Sequence, residues 1–82
     1  MQEEIASAFG EVLRALRNER NMTQEQLGLE ADLQRKSISS LELGMKAPSL
    51  ATVLRIADAL NVEPGKLVRL VKAKIDERKG LS

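Results

Sequence analysis

The sequence predicts an all-α fold of about five helices, and three observations favour it. Apolar residues recur at spacings of three and four along the chain, and no stretch alternates strictly as a strand on a sheet surface would. Residues that start and stop helices recur between these stretches. With 82 residues, 43% of them apolar and 1% aromatic, the chain has the length for one small domain with an aliphatic core. We therefore expect residues 1–82 to form a single domain.

The first two helices have clear boundaries in the sequence. A helix is expected over about residues 3–20, with an apolar stripe formed by Ile5, Phe9, Val12, Leu13 and Leu16. The next helix is expected to start after Thr23, because Thr23 and Gln26 have the spacing of a capping box. It lasts about eight residues, because Asp32 interrupts it and Asp tolerates the left-handed conformation better than most residues do.

Three further helices complete the prediction. A third helix is expected over residues 35–43, a fourth over about 50–60 and a fifth over about 64–79. Gly44 and Gly80 stop the third and fifth helices, since glycine readily adopts the left-handed conformation that ends a helix. The apolar stripe of the fourth helix is expected to contain Leu50, Val53, Leu54, Ala57 and Leu60.

The composition excludes most catalytic chemistry. The chain has no Cys, which excludes disulfides, iron–sulfur clusters and thiol nucleophiles, and no His, which removes the commonest general base and the commonest transition-metal ligand. We therefore expect no enzyme activity, no cofactor and no metal. Glu3 and Glu4 stand where a signal peptide would be basic or apolar, and no apolar stretch is long enough to cross a bilayer. We expect a cytoplasmic protein without membrane contact.

The charge is distributed unevenly along the chain. The formal net charge is only +1. Residues 1–34 nevertheless contain three bases and seven acids, whereas residues 35–82 contain ten bases and five acids. Solvated helix faces would account for such charges, and a basic surface that binds a polyanion would account for them equally well.

Residues 23–44, which read TQEQLGLEADLQRKSISSLELG, meet the requirements of a helix–turn–helix unit. Gly28 is a small residue where two helices would cross closely, and 31–32 (Ala-Asp) supplies a tight turn shortly afterwards. Apolar residues for the inner faces of both helices are Leu27, Leu33, Ile38 and Leu41. The segment therefore predicts two short helices that cross steeply.

This segment resembles the phage repressor/Cro-like helix–turn–helix family, also called XRE-type regulators. The similarity extends over about residues 9–67, and includes 22–24 (Met-Thr-Gln) at the start of the second helix and 47–50 (Ala-Pro-Ser-Leu) at the start of the fourth. Two positions depart from the family pattern, which usually has Ala in place of Gly28 and Gly in place of Asp32. The resemblance implies a compact five-helix, lambda-repressor-like DNA-binding domain with its core at about residues 9–67.

The resemblance also implies which residues contact DNA, because the third helix of this family lies in the major groove. The residues expected to contact base edges are Arg35, Lys36, Ser39 and Ser40. The residues expected to contact phosphates are Thr23, Gln24, Ser37 and Lys46, and Gln24 is also expected to buttress the third helix. Arg and Lys donate to O6 and N7 of guanine, whereas Ser reads bases only at close approach. The alternatives are a solvated helix position for each Ser and an ordinary turn lysine for Lys46.

A further pair of residues is expected to be structural. Members of the family often carry a partly buried ion pair between the first and third helices, and Arg17 and Glu42 stand at those positions. The resemblance implies that Arg17 holds the third helix in its pose through Glu42, so neither residue would read bases.

The fifth helix is longer than a minimal DNA-binding unit needs. Its apolar stripe contains Leu67, Leu70, Val71 and Ile75, with Val68 beside them. One interpretation is that the stripe covers the core of its own chain. The other is that its outer part packs against a second chain, because helix–turn–helix proteins usually bind palindromic DNA as two-fold dimers.

The predicted function is sequence-specific binding of double-stranded DNA by a small homodimeric transcription regulator of the repressor or restriction–modification controller type. The alternative is a protein-interaction module with the same fold, such as an antitoxin or a coactivator-like adaptor. Glu25 and Glu30 on the second helix are candidate contacts for RNA polymerase, or they are solvated carboxylates.

Overall fold

The computed structural model describes residues 1–80, which form five α-helices and no strand. The helices are α1 (Gln2–Glu19), α2 (Gln24–Ala31), α3 (Arg35–Glu42), α4 (Leu50–Ala59) and α5 (Pro64–Arg78). The predicted all-α class is confirmed, and the helix boundaries fall within about one residue of those expected. Within residues 1–80 no helix is long and apolar enough to cross a membrane.

Side-chain caps start three of the helices. Besides the cap of α2, Ser49 Oγ accepts the backbone N–H of Thr52 at 3.1 Å at the start of α4, and Glu63 Oε2 accepts that of Lys66 at 2.8 Å at the start of α5. Such caps satisfy backbone donors that have no partner within the helix. Gln34 precedes α3 and makes no capping hydrogen bond through its side chain.

All five helices contribute to one aliphatic core. α1 packs against both α3 and α5, and α2 packs against both α3 and α4. The largest fully buried side chains are Leu13, Leu27, Ile38, Ile56, Leu60 and Leu67. Burial of each such side chain stabilises the fold by about 1.5–3 kcal/mol. The inner faces predicted for the α2–α3 unit are confirmed, since Leu27, Ile38 and Leu41 are buried and Leu33 packs against the core.

The apolar stripe predicted for α4 is wrong at two positions. Leu50 is 72% exposed and Leu54 is 44% exposed, whereas Ile56 and Ala57 are buried. The buried residues of α4 all lie in its C-terminal half. Sequence spacing shows which residues share a face, but how far neighbouring helices extend along that face is decided by packing.

The apolar stripe of α5 belongs largely to the core of its own chain. Leu67 is fully buried, Val71 and Ile75 are 9% and 8% exposed, and Leu70 packs against the core. α5 lies along α1, where Glu11 pairs with Arg78. The stripe therefore covers the core of its own chain, as the first interpretation has it. Leu67, Val71 and Ile75 also line an apolar groove together with the exposed Val68, and a dimer contact there stays a prediction.

A glycine that the sequence analysis did not single out brings α1 close to α3. A Cβ atom added to Gly10 would lie 2.5 Å from the carbonyl oxygen of Leu41 and 2.7 Å from that of Glu42. Real Cβ atoms essentially never come this near to another atom, and backbone atoms cannot swing aside. The missing side chain at Gly10 therefore sets the distance between α1 and the end of α3.

Substitution Gly10→Ala is expected to destabilise the protein. The added methyl group forces α1 away from α3, and such overpacking costs about 1–3 kcal/mol. Thermal unfolding followed by circular dichroism measures the effect. Gly65→Ala is the control, because its Cβ would meet only side-chain atoms, of which the nearest is a carboxylate oxygen of Glu63 at 3.0 Å. That carboxylate can shift by a few tenths of an ångström, so Tm should change much less than with Gly10→Ala. Equal Tm values for Gly10→Ala and the unsubstituted protein would contradict the close approach.

Candidate nucleic-acid interface

The predicted capping box fixes the start of α2. The backbone N–H of Gln26 donates to Thr23 Oγ1 at 3.0 Å, and the backbone N–H of Thr23 donates to Gln26 Oε1 at 2.8 Å. Both backbone donors are thereby satisfied. Gln24 consequently occupies the first position of the helix, next to α3.

The turn between α2 and α3 depends on two residues. Asp32 has φ 57° and ψ 45°, the left-handed conformation predicted for it, and the N–H of Leu33 donates to the carbonyl of Gly28 at 2.8 Å. A Cβ on Gly28 would lie 2.6 Å from the carbonyl oxygen of Leu33. This chain therefore needs Gly at position 28, where the family pattern usually has Ala, because the backbone after the turn passes directly over it.

The outer surface of α3 is basic at its N-terminal end. Arg35 and Lys36 are exposed, whereas the serines of the helix, Ser37, Ser39 and Ser40, are each half-buried. The helix has one acidic residue, Glu42, and it is buried. α3 therefore presents two cations and a row of partly covered hydroxyl groups to its surroundings, which is the chemistry that major-groove base edges and phosphates bind.

The residues expected to contact phosphates lie in two places. Thr23 and Gln24 line a polar concavity together with Arg35, Arg17 and Glu25. Lys46 lies outside this concavity, exposed in the loop that follows α3. Ser37 is half-buried on α3 and does not line the concavity. The fold thus brings the first turn of α2 next to the first residue of α3, while Lys46 stands beyond the other end of α3.

The predicted structural ion pair is present and forms the centre of a wider network. Arg17 donates to Glu42 through Nε at 2.6 Å and through Nη2 at 3.0 Å, and its Nη1 donates to the carbonyl of Met22 at 2.7 Å. The side chain of Glu42 has no exposed surface, and that of Arg17 is 13% exposed. One arginine therefore joins α1, the start of α2 and the end of α3.

Two further donors reach Glu42, one from Gln24, which was expected to buttress α3, and one from Arg14, which was not expected to do so. Gln24 Nε2 donates to Glu42 Oε1 at 3.1 Å, and Arg14 Nε donates to the same oxygen at 3.4 Å. Part of the Gln24 amide is thus used within the protein rather than for a phosphate. The spacing of Arg14 and Arg17, which puts both on one face of α1, is the sequence feature that points to a shared partner.

Hydrogen bonds keep Glu42 ionised despite its position. Burial raises the pKa of this carboxyl, but hydrogen bonds from Arg17, Gln24 and Arg14 and the charge of Arg17 outweigh that effect, so its pKa lies below the ordinary value of 4.5. The hydrogen bond to Glu42 likewise raises the pKa of the Arg17 guanidinium. The two groups therefore remain an ion pair throughout the neutral range.

Comparison with known proteins assigns the family. Residues 13–67, more than half of the chain, match the helix-turn-helix family. The chain belongs to that family. The match includes the α2–α3 unit, so the resemblance to phage repressor and Cro-like regulators is confirmed.

Relatives of this helix-turn-helix protein include regulators. It is 39% identical to control protein C.BamHI of Bacillus amyloliquefaciens over 69 residues. This match covers 83% of this chain and 85% of that protein. It is 36% identical over 59 residues to the immunity repressor protein of Bacillus phage phi105, covering 72% of this chain and 41% of the repressor. Its fold is similar to the crystal structure of the restriction-modification controller protein C.AhdI from Aeromonas hydrophila, with a TM-score of 0.73 and 35% identity over 76% of this chain and 94% of that one.

Substitution Arg17→Ala is expected to cost about 3–5 kcal/mol of unfolding free energy near pH 7, because it leaves a buried carboxylate without its main partner. The lowered pKa of Glu42 gives the pH dependence of this effect. The stabilisation that ionised Glu42 contributes is present above the pKa that Glu42 has in the unfolded chain, and it is lost as pH falls through its pKa in the folded protein. Denaturant unfolding of both proteins from pH 7 to pH 3 should therefore show a shrinking difference. Lys72→Ala is the control, because its pair with Asp76 is exposed and contributes only about 0.3–0.5 kcal/mol. A similar small loss for both variants would contradict the network.

Proposed function

We propose that this protein is a sequence-specific DNA-binding regulator of transcription, of the repressor or restriction–modification controller type, that acts as a homodimer. The observation that carries the proposal is the exposed basic start of α3 at Arg35 and Lys36, held in place from behind by the buried Glu42 network. A helix that enters the major groove needs cationic readers on its outer face and a rigid support on its inner face.

The proposed division of roles follows the placement of each residue. Arg35 and Lys36 read base edges, with Ser39 and Ser40 behind them on the same helix. The concavity at Thr23 and Gln24 receives a phosphate, supported by backbone N–H groups of the first turn of α2 that have no acceptor within the helix. Ser37 and Lys46 are proposed as further phosphate contacts.

A dimer needs a surface, and the exposed apolar side chains of α4 and α5 supply one. Leu50, Leu54 and Val68 are 72%, 44% and 53% exposed, and Val53 lines the groove that Val68 also lines. We call these four residues the α4–α5 surface. Clustered exposed apolar residues mark interaction sites, and a second copy is the partner that palindromic DNA requires.

RNA polymerase stays a predicted partner. Glu25 and Glu30 are exposed on α2, and neither forms an ion pair within residues 1–80. Glu30 is therefore open to a basic protein surface beside the DNA, whereas Glu25 also lines the concavity at Thr23 and Gln24.

Arg35→Ala and Lys46→Ala are expected to affect DNA binding differently. Loss of a base reader removes about 1–3 kcal/mol of discrimination at one base pair of each half-site. Loss of a phosphate contact weakens all sequences evenly and lowers the salt slope by about 1. Selection of bound duplexes from a random pool, followed by affinity measurements at several salt concentrations, distinguishes the two. An unchanged consensus and affinity with Arg35→Ala and Lys36→Ala would refute the assignment of α3 as the recognition helix.

Leu54→Glu is expected to convert the dimer into a monomer, because the proposed interface would have to bury a carboxylate within the α4–α5 surface. Equilibrium sedimentation at high micromolar concentration should give twice the 9.0 kDa chain mass for the unsubstituted protein and 9.0 kDa for the variant. Leu29→Glu is the matched control, since Leu29 is a 79% exposed leucine on α2 that lines a concavity with Asp32 and Arg35 and does not line the groove of Val53 and Val68. A dimer that survives Leu54→Glu would place the interface elsewhere.

A further inference from the structure

The buried carboxylate of Glu42 lies beside two arginine side chains, although one positive charge is enough to neutralise it. Arg17 alone gives it a two-bond ion pair at 2.6 and 3.0 Å. Arg14 adds a second full positive charge through its Nε atom at 3.4 Å, the longest of the contacts to Glu42. The group formed by Arg14, Arg17 and Glu42 therefore carries one positive charge in excess, beside the recognition helix.

The excess charge is located on Arg14 and is accessible. The side chain of Arg14 is 52% exposed, whereas that of Arg17 is 13% exposed and uses all three of its nitrogen atoms. Within residues 1–80, Nε is the one nitrogen of Arg14 that donates a hydrogen bond. Its Nη1 and Nη2 atoms retain four N–H donors, and all but the one that is parallel to Nε–H point away from that bond, since the guanidinium group has a fixed planar shape.

The position of Arg14 is at the edge of the candidate DNA interface. Its Nε atom and the Nε2 atom of Gln24 bond the same oxygen, Glu42 Oε1. Gln24 lines the polar concavity at the start of α2, and Glu42 is the last residue of the recognition helix. Arg14 therefore lies where α1 meets both elements of the helix–turn–helix unit.

We propose that Arg14 contacts a phosphate of the bound DNA through Nη1 and Nη2 while its Nε atom stays on Glu42. This inference rests on the DNA-binding function proposed above and adds a residue from α1 to its interface. Arginine suits the role because its donors form a rigid fork that binds two partners at once. The bond to Glu42 holds the side chain in place before DNA arrives, so little rotamer freedom is lost on binding.

The experiment compares Arg14→Gln with Arg55→Gln, which removes the same charge from an exposed α4 residue that forms no hydrogen bond or ion pair within residues 1–80. The affinity of each full-length variant for the selected operator and for random duplex DNA is measured from low to moderate salt. Arg14→Gln should weaken both DNAs by the same factor and reduce the slope of log affinity against log salt by about 0.9 per bound protomer. Arg55→Gln should leave the slope unchanged.

Arg14→Lys separates charge from structure. It keeps a cation at the position, so the slope should return towards that of the unsubstituted protein. If Arg14→Lys reduced the salt slope as much as Arg14→Gln, or if Arg14→Gln left the slope unchanged, the phosphate contact of Arg14 would be overturned. The proposed DNA-binding function would not be affected by either result. If the unsubstituted protein itself bound duplex DNA without salt dependence, the proposed function would be overturned together with it.

Discussion

The carboxylate of Glu42 is the point on which the arrangement of the helix–turn–helix unit depends. It is buried and remains charged because Arg17, Gln24 and Arg14 all donate to it. Each donor comes from a different part of α1 or α2, whereas Glu42 ends α3. A charge without partners in the interior would be far more costly than the same charge paired. The network therefore favours the one orientation of α3 in which all donors reach the carboxylate.

Two glycines allow the backbones to come close enough for that network. Gly10 lets α1 approach the carbonyl groups at the end of α3, and Gly28 lets the chain pass over α2 as it leaves the turn at Asp32. Both positions are limited by backbone atoms, which cannot rearrange as side chains do. The geometry of the surface proposed to bind DNA thus depends on the absence of side chains behind it as well as on the charged groups that the surface presents.

The apolar side chains of α4 and α5 have two different roles. The stripe of α5 closes the core of its own chain, as Leu67 and Val71 show. The start of α4 leaves Leu50 and Leu54 exposed, beyond the part of the helix that its neighbours cover. In a chain of 82 residues one small core cannot bury every large side chain. Among the residues left over, Leu50 and Leu54 belong to the surface that we propose joins two protomers on DNA.

Local sequence determined the helices, their caps and the left-handed turn at Asp32, because spacing, capping and backbone preference act within a few residues. The family resemblance supplied the pair of Arg17 and Glu42. Only the tertiary structure decided that Gln24 shares Glu42, that Gly10 is a contact point, and which apolar residues stay outside the core. These depend on distances between helices far apart in sequence, and no local pattern specifies how closely two helices approach or how far one covers another.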